Sequence, residues 1–501
     1  MVKKNGAKKN QGKANWTVTV YMSADNSLAE ESVWAITEIL KTESQIRGSV
    51  RIEVLFDSNA VGMPTKVFSI PTTNGTGQIS ANMVKRLGRL RTLGEDFATS
   101  NGSHALPSDA KHIGSRPSPN GDKLENAADS RVLKRFLTDT LTVRKNNPQL
   151  LILSGHGSGA IGDFLSGKRA QEAISVRSLG GTLKEVIESL KDQNHEFKYD
   201  IIGMDSCLMS MAEVAYELRD SANILIGSEG FEPETGWPYK EIIPKIKPSV
   251  KPTNLARIIV DEYIKYYAEY VVAGTSVDLS ALNLGMADAL KESLFDLSEA
   301  LLKEFGAKDQ SVIDAVLLAH WRAQSYKNEQ YVDLWDFCDL LEKGCEVGAI
   351  KHACQRVRGV IDGSGDKNGK DSNNSPFVIT SKHFGVAFQH SHGVSVYFPW
   401  KESPALDEYQ KLTFARDTKW GKFLKTYVKV TQRESRGQLG PKVEEINITA
   451  AERPLIIPVQ EDATIGIRSA PDTFRAMLSG REGMKNPPDS FLINTVTGEA
   501  L

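Results

Sequence analysis

Short β-favouring runs alternate with helical-period segments through the first half of this 501-residue chain, which leaves few folds open to it. Trp16–Met22 (WTVTVYM) reads as a strand entering turn residues. Ser27, with Glu30 three positions on, then forms a capping box ahead of Leu28, Val33, Trp34, Ile36 and Ile39. Further strands are expected at Val50–Phe56, Thr65–Ile70, Gln149–Leu153, Asp200–Met204 and Ile224–Gly227, with helices near Val132–Leu137, Thr182–Lys191 and Leu208–Leu218. A strand–helix order of this kind packs as a mostly parallel α/β sheet flanked by helices, with function at the carboxyl ends of its strands.

The organisation changes along the chain. Residues 1–15 are a basic, disordered-type N-terminus, and Thr92–Asp129, rich in Ser, Gly, Pro and Asn, reads as an exposed insertion. Asn254–Val271, Met286–Phe305, Gln310–Trp321, Tyr331–Leu341 and Val347–Ile361 show three- and four-residue apolar spacing, giving a helical subdomain over 251–362. Strand character returns at Phe377–Ile379 and Gly393–Phe398, expected to close the sheet, followed by a helix at Leu406–Tyr427. Residues 431–501 read as a small β-rich appendix, so that one large unit spans 16–430.

Composition narrows the function classes. With 40% hydrophobic and 25% charged residues and a formal charge of −2, the chain has no protein-wide attraction to nucleic acid or anionic membrane. No apolar run of membrane-spanning length occurs, and no apolar segment follows the lysines of residues 1–15. A cytoplasmic location is therefore expected. The four cysteines have neither disulfide-framework nor zinc-ligand spacing, so reduced thiols are expected.

Two expected strands deliver chemistry at their ends: His156 in LILSGHGSG and Cys207 in IIGMDSCLM. Thiolate is the nucleophilic form of cysteine, and a helix starting at Leu208 would stabilise it through unpaired backbone N–H groups. Neighbouring parallel strands would bring His156 within reach of a scissile bond held at Cys207. Gly155 and Gly157 leave room for a substrate backbone, and the Gly157 and Cys207 N–H groups would form an oxyanion hole. Taken singly, a strand-end Cys is more often a small buried hydrophobe and a lone His a satisfied core residue. Their joint placement favours a cysteine-peptidase dyad.

From Trp16 to about Tyr427 the chain resembles the clostripain family of cysteine peptidases, relatives of caspases, gingipains, legumains and separases. The resemblance is carried by WTVTVYMSADNSL, LILSGHGSG, DIIGMDSCLMSMAEVAYEL, SEGFEPETGWPY, HGVSVYFPW and the Trp420 helix. It implies a caspase-like fold, cleavage after a basic residue, self-processing in a loop between His and Cys, and calcium dependence in some members. Asp205, two residues before Cys207, would then form the base of the pocket for Arg or Lys, although an Asp here is also a common helix N-cap. Asp25 and Glu229, at other strand ends, are weaker pocket candidates, and acids so placed are more often turn residues.

Lys168-Arg169, in the polar stretch LSGKRAQ, is the expected self-cleavage point, with Lys111, Arg116 and Lys123 competing in the insertion. Expected partners are protein or peptide substrates with Arg or Lys before the scissile bond, and an upstream activating protease is a further one. No nucleic-acid or membrane partner is expected.

Rival classes leave weaker traces. Gly157-Ser-Gly159-Ala-Ile-Gly162 fits a dinucleotide-binding G-x-G-x-x-G, but no clear second strand ends in an acid about twenty residues on. A phosphatase loop would need Gly and Arg soon after Cys207. A catalytically silent caspase-fold scaffold would usually lack His156 or Cys207. Asp362–Asp371 resembles a calcium loop without its central Gly and closing Glu, and His383, His390 and His392 have no matched Cys, so no metal site is assigned.

Overall fold

The computed structural model describes residues 16–24, 26, 28–46, 50–58, 66–70, 126–144, 147–162, 164–165, 173–190, 197–269, 276–327, 329–364 and 375–435. The basic N-terminus, nearly all of the insertion, the Asp25 position, the Lys168-Arg169 pair and the C-terminal stretch from 436 lie outside them. Eleven strands are present among the described residues: β1 (Trp16–Ala24), β2 (Val50–Ser58), β3 (Lys66–Ile70), β4 (Gln149–Ser154), β5 (Tyr199–Asp205), β6 (Ala222–Gly227), β7 (Val277–Asn283), β8 (Ser325–Tyr326), β9 (Tyr331–Asp333), β10 (Val378–Phe384) and β11 (Ser395–Tyr397).

Eight of these form one sheet in the order β10-β7-β6-β5-β4-β1-β2-β3. The central strands β2, β1, β4, β5 and β6 run parallel, and β3, β7 and β10 add antiparallel edges. The core follows from strand alternation, because successive side chains point to opposite faces. On β4, Leu150 and Ile152 face one apolar cluster while Leu151 and Leu153 face the other. Helices Ala29–Lys41 and Pro252–Glu269 cover the first face. Ser130–Arg144, Val176–Ser189, Ala212–Leu218, Ala287–Ala307 and Trp420–Ser435 pack on the second. No helix among the described residues is long and apolar enough to cross a membrane.

Several details differ from the sequence expectation. The helix-rich stretch 251–362 is threaded by β7, which pairs with β6 in the main sheet. Tyr331–Asp333 is strand rather than helix. With β8 and β11 it makes a separate three-stranded sheet, so Ser395–Tyr397 does not close the large one. The first helix begins at Ala29, and Leu28 occupies its cap without a side-chain bond. The helix after Cys207 starts at Ala212, not Leu208, because Leu208 adopts a left-handed backbone (φ 64°) that halts helical propagation. Residues 208–211 instead bond laterally: Leu208 N–H to Gly230 O (2.9 Å), Ser210 N–H to Ser228 O (2.8 Å), and Ser395 N–H to Ser210 O (3.0 Å).

Candidate active site

Parallel pairing of β4 with β5 sets Ser154 opposite Asp205. His156 and Cys207 each follow two residues later, so both emerge at one edge of the sheet. The loops touch: Gly155 N–H donates to Asp205 O (3.3 Å). Gly157 lies so close to the Cys207 main chain that a Cβ there would sit 2.3 Å from Cys207 O and 3.1 Å from Cys207 N. The two expected oxyanion donors thus belong to adjoining backbone segments.

The histidine loop is braced on its outer side. Leu165 N–H donates to His156 O (2.9 Å), and Ala160 N–H to Met211 Sδ (3.2 Å). Ser158 O accepts from Lys327 Nζ (2.8 Å) and Tyr331 O–H (2.5 Å), both on the hairpin joining β8 to β9. Gly159, at φ 75°, lies under the Tyr331 ring. This packing removes the dinucleotide reading. A Cβ on Gly162 would strike the Ser158 side chain, and the first helix after this loop among the described residues begins only at Val176, too far on to present its N-terminus to a pyrophosphate held by the loop.

Cys207 is half-buried, whereas Cys338, Cys345 and Cys354 are buried. Its Sγ accepts the Glu232 N–H (3.2 Å) and faces the Glu232 carbonyl (3.6 Å). Burial, reinforced by the Glu232 carboxyl, pushes the thiol up to about 12. The expected thiolate stabilisation by a helix N-terminus is therefore not found, since the helix starts at Ala212 rather than Leu208. Burial holds the His156 imidazole below its ordinary value, and the Glu234 carboxylate pulls it partly back. Burial thus favours the uncharged form of both side chains.

Asp205 is only 6% exposed. One oxygen accepts the Trp237 N–H (2.9 Å) and the other the Tyr239 O–H (2.7 Å). Burial raises its pKa, and donors from Tyr239, Ser154 and Trp237 oppose that rise. It caps no helix, and it anchors the 236–239 loop. Gly236 takes φ 66° there, and a Cβ on it would lie 2.7 Å from Asp205 Oδ1. Gly236→Ala should therefore lower stability by about 1–3 kcal/mol, read as a shift in the thermal midpoint. An unchanged midpoint would show that the loop is not tied down through Asp205.

Glu229 is fully buried. It accepts the Gly393 N–H (2.7 Å), and Asp333 and Asp278 nearby, after burial itself, push its carboxyl well up. Asp278 accepts the N–H groups of Glu229 (2.7 Å) and Gly230 (2.9 Å). His392 bonds Asp333 through Nδ1 (3.2 Å) and stacks on Trp335. The described residues contain no cluster of three or more His, Cys, Asp or Glu fit to hold a metal ion, and most of the Asp362–Asp371 loop lies outside them.

A family model described as Peptidase C11, clostripain family, matches residues 20–427, a span that contains both loops. The chain belongs to the clostripain family. It is a cysteine peptidase, as that membership states. Solved structures share the clostripain-type fold. One is a secreted C11 cysteine protease from Bacteroides thetaiotaomicron in complex with an irreversible peptide inhibitor, with TM-score 0.54, 17% identity and coverage of 81% of this chain and 99% of that one. Another is an inactive zymogen C11 protease from Parabacteroides distasonis, with TM-score 0.51, 17% identity and coverage of 81% and 98%. No curated protein matched.

Sequence reasoning missed Glu232, Glu234, Lys327 and Tyr331 as neighbours of the His156 and Cys207 loops. The acids of SEGFEPETGWPY directly after a strand were a usable signal for the first two. Nothing local marks a hairpin that braces a loop some 170 positions earlier.

Proposed function

We propose that this peptidase cleaves protein or peptide chains after Arg or Lys, with Cys207 as nucleophile and His156 as acid/base. The carrying observation is the close packing of Gly157 on the Cys207 backbone, which joins the ends of β4 and β5 around one reaction centre. The exposure of Cys207, against three buried cysteines, supports the same assignment. In this mechanism His156 takes the thiol proton as Sγ adds to the scissile carbonyl, and the Gly157 and Cys207 N–H groups face the oxyanion. Collapse expels the amine, protonated by His156, and leaves a thioester. Water, deprotonated by His156, then releases the acid and restores the thiol. Asp205 supplies fixed negative charge beneath the pocket, which favours a cationic side chain.

Self-cleavage at Lys168-Arg169 would free chain ends between the two reactive loops and so activate the enzyme. A cytoplasmic setting fits the reduced cysteines. The test combines a fluorogenic peptide panel, varied only in the residue before the scissile bond, with intact-mass and N-terminal sequencing of the purified chain. Arg and Lys peptides should turn over at least about a hundredfold faster than Ala or Glu peptides. The active form should carry a new N-terminus at Arg169 or Ala170. Equal turnover across the panel defeats the specificity, and a fully active uncut chain defeats the activation step alone.

A further inference from the structure

The ladder between β6 and β7 stops short of the loop that faces Cys207, and backbone N–H groups beyond its end need other partners. Its last pair is Gly227 with Ser280. Two steps further in the same register Glu229 stands opposite Asp278, and there a side chain takes over from the strand. Asp278 Oδ2 accepts the Glu229 N–H (2.7 Å) and Oδ1 the Gly230 N–H (2.9 Å). Strand alternation brings this side chain to the place: Val277, Leu279 and Ala281 belong to the apolar cluster of the first face, which turns Asp278 and Ser280 to the other. A Cβ on Gly230 would meet the Phe388 ring and lie 3.0 Å from Asp278 Oδ1, so glycine lets the carboxylate close on the loop.

What this grip holds is the Cys207 turn. Gly230 O accepts the Leu208 N–H (2.9 Å), Ser228 O accepts the Ser210 N–H (2.8 Å), and the Glu232 N–H donates to Cys207 Sγ (3.2 Å). The Ser280 hydroxyl meets that of Ser210 (2.7 Å), so β7 reaches the turn at a second point. Leu208 needs such bracing. Its φ of 64° lies in the left-handed region, which costs an L-residue free energy and persists only where the surroundings fix it. Were the Gly230 peptide free to rotate, Leu208 would relax toward ordinary φ and carry the Cys207 N–H and Sγ with it.

Asp278 is 1% exposed, on a strand where an apolar residue would be easier to bury. Burial lifts its carboxyl to about 6 against the pull of the Glu229 and Gly230 N–H groups, so at neutral pH the ionised form holds both donors.

We propose that Asp278 is a positioning residue for catalysis: by holding the Glu229 and Gly230 N–H groups, its carboxylate keeps the Cys207 thiol and N–H in register with His156 and the scissile carbonyl. This rests on the Cys207 assignment proposed above. Asp278 acts through the loop and not on the substrate. Asparagine has the same shape but cannot replace it, since it offers one acceptor oxygen and turns an amide N–H toward the second main-chain donor.

The experiment compares Asp278→Asn with Asp309→Ala, in kcat and KM on an Arg peptide at neutral pH, in thermal midpoint and in amide hydrogen exchange. Asp309 is the matched control: it too accepts two successive main-chain N–H groups, those of Ser311 (3.0 Å) and Val312 (3.3 Å), but at the start of the Gln310–Arg322 helix. Asp278→Asn should lower kcat by about thirtyfold. KM should change by no more than about threefold, because Asp205 keeps its own donors from Trp237 and Tyr239. The amides of Leu208 and Ser210 should exchange at least about tenfold faster. Asp309→Ala should lower the midpoint while kcat and those amides stay as in the wild type. A folded Asp278→Asn protein whose kcat falls no further than that of Asp309→Ala overturns the assignment alone. Should Asp278→Asn fail to fold, Gly230→Ala tests the same grip from the loop side: a folded protein with kcat lowered about tenfold or more supports the assignment, and a normal kcat overturns it. If Cys207→Ala retains turnover, the thiol reading falls and this assignment with it.

Discussion

Cys207→Ala is expected to lower peptide turnover by at least about a thousandfold, because no other thiol can take its place at the centre. Cys338, Cys345 and Cys354 are buried in helix packing remote in sequence from the β4 and β5 loops, whereas Cys207 stands next to Gly157. The fold should survive the change. The sulfur's hydrogen bonds are with the main chain of Glu232, and losing them costs on the order of 1–2 kcal/mol. The lateral bonds that shape the turn, from Leu208 N–H and Ser210 N–H, are made by backbone and remain. Hydrolysis of an Arg peptide, measured beside a thermal melt, separates the two effects. Retained turnover in a folded Cys207→Ala protein would end the thiol assignment. If the wild type processes itself, the same variant should also stay a single chain.

The strands bearing His156 and Cys207 were legible because each is a short apolar run that stops at polar or glycine residues, a pattern set locally. Their adjacency was legible too, since a helix between parallel strands leaves little choice of order. What failed was decided at a distance. Leu208–Met211 has helical apolar spacing, yet hydrogen bonds to Gly230, Ser228 and Ser395 hold it extended around a left-handed Leu208. β7 carries only Val277, Leu279 and Ala281 on its first-face positions and lies between two long helices, so a strand there looks like a linker until β6 and β10 pair with it. β8 and β9 are two and three residues long, too short to show a period.

The state of the acids followed the same rule. Asp205, Glu229 and Glu232 are alike in sequence as acids at or just past strand ends, and only the packed structure distinguishes them. Asp205 is bonded through Trp237 and Tyr239 and Glu229 through Gly393, whereas Glu232 is buried with Ser228 and the Trp237 indole beside its carboxyl.

Gly157→Ala should be the second severe lesion, and its contrast with another glycine makes it diagnostic. The added methyl would lie 2.3 Å from Cys207 O, 3.0 Å from Ser206 Cβ and 3.1 Å from Cys207 N. Two of these are main-chain atoms of the Cys207 turn, which Leu208 N–H fixes to Gly230 O, so they cannot yield as a flexible side chain would. Relief requires the His156 loop to move off the Cys207 loop, pulling both oxyanion donors and the imidazole out of register. Misplacement of that kind is expected to lower kcat by about a hundredfold or more, with overpacking removing about 1–3 kcal/mol of stability. Gly181, on the exposed side of the Val176–Ser189 helix, has nothing within 4 Å of its added Cβ. Gly181→Ala should therefore raise stability by about 0.5–1 kcal/mol and leave kcat unchanged. Equal behaviour of the two variants in a turnover assay would show that the close contact of Gly157 with Cys207 does not organise catalysis. A Gly157→Ala enzyme with normal kcat would do so by itself, because no arrangement of the two loops seen here accommodates the methyl.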